Sequence, residues 1–303
     1  VGRLTDHVRA SCAAIAADAR SVRIDHARLE AFAEAGPGAR VEDPGLDPTR
    51  HYLEGAPEDV ALYTLALDTI NFGSGWFPTL AKRVDPASGR TVSGYFTVAW
   101  NLADHFRIAG PWDGAALREM RTETLAEVLG QRADHELMSL YAQALRELGR
   151  FLGGRPVLDV IAAADGSAEA LATTLASSLA FYDDRGFYKR AQIVGNDLAL
   201  AGVAGFHDLD GLTIFADNLV PHVLRCDGIL RYDDALAARI DAEELLPAGR
   251  EEREIRACAV HACELLSARL GVPARVLDMW LWNRGQAPEV KARPRHRTRT
   301  VYY

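Results

Sequence analysis

The chain has 303 residues, 49% of them hydrophobic, with 42 acidic against 34 basic side chains and a net charge of −8. That length suits one large domain or two modest ones, each able to bury a core, and the apolar content excludes a disordered chain. The acidic balance argues against a general nucleic-acid binder, which needs cations along an extended backbone.

Helical periodicity dominates from the N-terminus onward. Residues 1–19 mix Arg3, Asp6, Arg9 and Asp18 with alanines and lack the apolar run of a signal peptide; Val1 is expected to follow a removed methionine or tag. Gly36 to Pro57 is rich in Gly and Pro and reads as a loop or linker. It sets off a helical segment, residues 1–50, from a helical body, residues 51–303, and the two are expected to form one compact unit. After Pro57, Val60, Tyr63, Leu67 and Ile70 share a helix face, with Glu58 and Asp59 in the first turn. Arg90 to Trp100 is read as extended. A long helix carries Leu137, Leu140, Tyr141, Ala144, Leu148, Phe151 and Leu152 on one face, with Asp134 placed to cap it and Gly153 to end it. Leu171, Leu175, Leu179 and Tyr182 form another stripe. Leu212 to Phe215 follows an Asp-Gly turn signal and is a second extended candidate. Ile255, Cys258, Ala262, Leu265 and Leu266 form a helix stopped by Gly271, and Pro273 opens a last one through Val276, Leu277, Trp280 and Leu281, closed by Gly285. No stretch approaches the roughly 20 apolar residues of a membrane span. No βαβ rhythm or repeat is present, so the fold class is mainly α, a single helical domain with little β structure.

Several ionisable residues fall among apolar neighbours, where they need partners or a function. Asp217, in Phe215-Ala216-Asp217-Asn218-Leu219, is either a helix N-cap or a working carboxylate. Asp278, in Leu277-Asp278-Met279-Trp280-Leu281-Trp282, is either salt-bridged to an arginine such as Arg256 or a contact for a flat, polar-edged heterocycle, with Trp282 one turn away. Lys189 and Arg190 open a helix, where cations oppose the macrodipole; they are a surface pair or an anion site. In Asn71-Phe72-Gly73-Ser74-Gly75-Trp76-Phe77-Pro78, Phe72 and Trp76 are core aromatics or one wall of a stacking slot, and the glycines are no dinucleotide fingerprint. Lys291, Arg293, Arg295, Arg297 and Arg299 are a local cationic cluster. The ending Val301-Tyr302-Tyr303 argues that this segment docks, and guanidinium groups with a phenol suit one phosphate better than a long backbone. Cys258, His261 and Cys263 do not make a zinc site, since Cys263 points away from the other two on a helix. His105, His135 and His222 have no recognisable partner, and four cysteines in this length make no disulfide scaffold and fit a reducing cytoplasm.

Phe187-Tyr188-Lys189-Arg190-Ala191-Gln192-Ile193, Leu212 to Pro221, Leu277 to Gly285 and Pro294 to Tyr303 resemble the queuosine salvage family. The likeness is strongest from Arg185 onward, weaker over Asn71 to Pro78 and faint before Tyr52. It implies hydrolysis of the N-glycosidic bond of queuosine 5′-monophosphate, releasing queuine and ribose 5-phosphate. It places Asp217 against the sugar carbon as the catalytic carboxylate and Lys189 in the nucleotide site. Phe72, Trp76, Asp278, Trp282, Arg295, Arg297 and Tyr303 complete the expected substrate-binding set. The implied fold is similar to helical DNA glycosylases, but their glycine-rich hairpin before the aspartate is not evident, which argues against duplex DNA. The expected partner is a small-molecule nucleotide, with no cofactor, metal or membrane, in the cytoplasm; the oligomeric state stays open. A nucleosidase for another modified nucleotide, or a non-catalytic helical nucleotide- or RNA-binding protein, is the alternative.

Overall fold

A computed structural model describes residues 3–35, 41 and 45–303. Among these residues lie fifteen α-helices, three short 3-10 helices and one two-stranded sheet. The first elements are α1 (Leu4–Ala17), β1 (Val22–Ile24) and α2 (His26–Glu34). Of the expected linker, residues 36–40 and 42–44 lie outside the described residues, and residues 45–56 hold turns but no helix or strand. Then come α3 (Pro57–Thr69), α4 (Gly94–Ala109), α5 (Gly114–Arg118), α6 (Thr122–Val128), α7 (Glu136–Leu152), α8 (Val157–Ala162), α9 (Ala168–Ser178) and α10 (Lys189–Leu200). The chain closes with α11 (Leu219–Cys226), β2 (Leu230–Tyr232), α12 (Asp234–Asp241), α13 (Arg250–Leu270), α14 (Ala274–Arg284) and α15 (Pro288–Lys291). No helix among these residues is long and apolar enough to cross a membrane.

The apolar side chains form two main clusters. One runs through residues 52–198 and surrounds α3, whose residues Val60 to Thr69 are all buried. A helix buried on every side belongs at the centre of a bundle, and α3 packs on α4, α7, α8 and α10. The other cluster joins both ends of the chain: α1 lies along α13, and β1 pairs antiparallel with β2, Val22 opposite Tyr232. Tyr188, in a left-handed conformation at φ 50°, packs against both clusters just ahead of α10. Gly153 and Gly271 end α7 and α13 in left-handed conformations, as their positions in the sequence suggest.

Three expectations need correction. Arg90 to Trp100 is extended only at its start, where Thr91 bridges Val84; Ser93 then caps α4 by accepting from the Phe96 amide, and Val98, Leu102 and Phe106 pack at helical spacing. Leu212 to Phe215 joins no sheet. Its polar backbone groups are met by side chains, with the Thr213 amide donating to Gln192 Oε1 at 3.0 Å and the Phe215 amide to Asp278 Oδ1 at 2.9 Å. The cap of α7 is His135, whose Nδ1 accepts from the Leu137 amide, while Asp134 pairs with Arg132.

Candidate active site

A cleft opens where the two clusters meet. From the first come Asn71, Phe72, Ser74, Ser93, Tyr95 and Phe96, with Lys189 and Asp197 from α10. The second supplies Phe215, Asp217 and Asn218 from the segment before α11, Asp278 and Trp282 from α14, and Lys291, Arg295 and Tyr303 beyond it. Side chains hold the irregular backbone at residues 213–218 in place. Arg256 Nε donates to the Ala216 carbonyl at 3.0 Å, and Asn218 Nδ2 donates to the His296 carbonyl at 3.1 Å. Arg256 is itself buried and locked to Asp184 at 2.6 Å, with Glu252 one turn back along α13.

Asp217 Oδ1 accepts from the amides of Leu219 at 2.7 Å and Val220 at 3.0 Å, at the start of α11. The capping and working readings are therefore both available to one side chain, because the cap occupies one oxygen. Nearby, Asp278 is buried with no cation in ion-pair range among the described residues; burial, with Asp217 adding to it, pushes its carboxyl well above the usual range. Lys189 donates to the Asn71 carbonyl at 3.2 Å, and burial lowers its ammonium against the pull of Asp217 and Asp68. Beneath it, Asp68 is fully buried, and burial with Asp197 close by raises its carboxyl well above normal. The aromatic wall is a herringbone: Trp282 meets Tyr95 and Phe96 edge-on, each at 5.5 Å between centroids. His51 Nε2 lies 3.1 Å from the Tyr95 hydroxyl and fixes that ring from behind.

Seven of the nine residues expected from the sequence meet at this cleft: Phe72, Lys189, Asp217, Asp278, Trp282, Arg295 and Tyr303. Trp76 does not line it; its indole nitrogen donates to Glu136 at 2.8 Å and Arg299 covers its ring. Nor does Arg297, which donates to the Glu243 carbonyl at 3.1 Å on the outer side of the closing segment. Alternation decides this, since His296 and Thr298 on either side of it are buried and Arg297 turns the other way, in a bridge to Leu245. Arg190 is no surface residue: it is buried and donates to the carbonyls of Thr69, Phe181 and Val301. Arg256 belongs to Asp184 rather than Asp278. Tyr303 docks through its carbonyl, which accepts from the Gly73 amide at 2.9 Å, and its ring lies 4.5 Å from the Arg256 guanidinium. Gly75 lies so close to Thr298 that a Cβ would sit 2.5 Å from its carbonyl oxygen. Lys291, one of the cationic cluster, lines the cleft as well, whereas Asp197, Tyr95, Phe96, Phe215 and His51 are not singled out as site residues by the sequence. A helix-end serine before two aromatics was a usable signal for Tyr95 and Phe96; for Asp197, inside an amphipathic helix, there was none.

A helical fold with buried carboxylates, a lysine and edge-on aromatic rings around one cleft has the lining of a site for small, flat, polar-edged molecules. A family model described as queuosine salvage protein matches residues 51–303. A protein of Sphaerobacter thermophilus named queuosine 5′-phosphate N-glycosylase/hydrolase is 36% identical over 94% of this chain and 94% of its own length. Proteins of the same name from Dictyostelium discoideum and Bos taurus are 30% identical over 81% of the chain and 79% of the relative, and 29% identical over 97% and 98%. The chain belongs to the queuosine salvage protein family.

Proposed function

We infer that this protein is an N-glycosyl hydrolase acting on queuosine 5′-phosphate, releasing queuine and ribose 5-phosphate. Water adds across the bond: its hydroxyl goes to C1′ and its proton to the departing ring nitrogen. The observation that carries this reading is the position of Asp217, anchored by one oxygen to two amides at the start of α11 while lining the cleft beside Asp278 and Lys189. Cleavage of an N-glycosidic bond builds positive charge on the ribose ring, and a fixed carboxylate stabilises that charge without reorganising.

The other roles follow from chemistry and position. Asp278 accepts from the Phe215 amide with Oδ1, which leaves Oδ2 for the polar edge of the base, and burial favours the protonated form of this carboxyl. Trp282, with Tyr95 and Phe96 behind it, supplies the stacking face, and Phe72 lines the cleft from the first cluster. Lys189 takes the ribose side. Lys291 and Arg295 line the cleft without an ion-pair partner among the described residues, so they take the phosphate. Cations gathered at one cleft of an acidic chain support a single small phosphorylated ligand rather than duplex DNA. Four free thiols support a reducing compartment, the cytoplasm. The test is incubation with queuosine 5′-phosphate and with queuosine, with mass-spectrometric detection of free queuine. Release is expected from both, with the higher kcat/KM for the phosphate; no release from either rules the function out.

A further inference from the structure

The cleft-facing side of α14 continues past Asp278 and Trp282. Asn283, in the last turn of α14, and Gln286, just beyond it, also line the cleft. Their amide groups share one arrangement. Asn283 Nδ2 donates to the Met279 carbonyl at 2.8 Å, and Gln286 Nε2 donates to the Trp282 carbonyl at 3.4 Å. Each amide nitrogen is thus tied back one turn. Flipping either amide would set its oxygen against a main-chain oxygen, so the orientation follows from the chemistry. The result is two carbonyl oxygens that accept no hydrogen bond among the described residues: that of Gln286 is buried, and that of Asn283 belongs to an exposed residue at the cleft. A buried acceptor without a donor is costly unless a ligand supplies one. Asn283 stands in the last turn of α14 and Gln286 in the turn that follows it, both farther along the chain than Asp278 and Trp282.

We propose that Asn283 and Gln286 are specificity residues that accept hydrogen bonds from the two hydroxyls of the cyclopentenediol arm of the base. This rests on queuosine 5′-phosphate as the substrate. Two fixed acceptors match a vicinal diol, whose hydroxyls are two donors. The arm projects from the ring through an amine, so a base gripped at one edge by Asp278 and stacked on Trp282 carries it toward the far end of α14. An ordinary purine has nothing to offer these acceptors, and a site built for a hydroxyl discriminates against ligands that lack it.

The test compares queuosine 5′-phosphate with 7-aminomethyl-7-deazaguanosine 5′-phosphate, which keeps the ring and amine but lacks the diol. The second nucleotide is measured both as substrate and as competitive inhibitor. For Asn283→Leu combined with Gln286→Met, kcat/KM on queuosine 5′-phosphate should fall about tenfold or more, at a net worth near 1 kcal/mol per hydrogen bond. The constants for the truncated nucleotide should stay within about twofold. An equal fall on both nucleotides, or no fall on either, overturns the proposal. Base release from neither nucleotide by the wild-type protein would instead bring down the function on which it rests.

Discussion

The two clusters place polar groups differently. The 52–198 cluster is a bundle in which regular helices satisfy their own backbones, so its buried polar side chains tie helix to helix, as Tyr141 does to the Phe72 carbonyl, or bond within a turn, as Thr64 does to the Val60 carbonyl. The second cluster borders an irregular stretch, 213–218, whose backbone groups are met by Gln192, Asp278 and Arg256 from distant parts of the chain, while the Asn218 side chain donates to the His296 carbonyl. A helix can tolerate the loss of one contact because its neighbours share the load. A loop fixed by one side chain per peptide group cannot. The cleft therefore takes its rigid floor from one cluster and its precisely held carboxylate from the other.

Substitutions in each region should separate stability from activity. The largest effect is expected for Arg256→Met. It leaves Asp184 buried and unpaired and frees the Ala216 carbonyl, so stability should drop by about 3–5 kcal/mol. In conditions where the variant remains folded, kcat should fall as well, because Ala216 precedes Asp217. Leu145→Ala, in the first core, should lose about 2–5 kcal/mol in denaturant unfolding yet keep kcat close to wild type. A comparable kcat loss in both would erase the contrast between the clusters.

Asp217→Asn retains an oxygen to cap α11 but removes the negative charge. Its melting temperature should stay near wild type while kcat falls by about 3–4 kcal/mol of transition-state stabilisation. A loss under tenfold, measured by single-turnover release of base, would exclude Asp217 as the catalytic carboxylate. Trp282→Ala should weaken substrate or queuine binding by about 1–3 kcal/mol, seen by calorimetry, with a smaller change in kcat than for Asp217→Asn.

The smallest effect concerns Asp68. Its carboxyl holds a proton more tightly in the folded state than in the unfolded chain, chiefly through burial, with Asp197 adding to it. The stability this contributes is present below the ordinary carboxylate pKa of about 3.9 and is lost as pH rises toward the folded value. Asp68→Asn removes that loss. Urea unfolding of the variant relative to wild type should therefore improve from pH 4 to pH 8. A relative stability that is flat or declining over that range would show that Asp68 is not held protonated.

Helix type, most helix ends and the outline of the site were legible in the sequence. Apolar residues at helical spacing, with Gly153 and Gly271 at helix ends, depend on local backbone geometry, which sequence neighbours determine. The motifs around Lys189, Asp217 and Asp278 carried enough chemical peculiarity to be read as a family resemblance. Tertiary structure decided which side chains face one another. Trp76 turned to Glu136 while Tyr95 and Phe96 met Trp282; Arg256 went to Asp184 and left Asp278 to the Phe215 amide; Arg190 became an interior tie. Each of these pairings except that of Arg190 with Phe181 spans dozens of residues or more. Propensity and periodicity act over a turn or two, whereas the cost of an unpaired buried charge or amide is settled by whatever partner packing brings within hydrogen-bond reach.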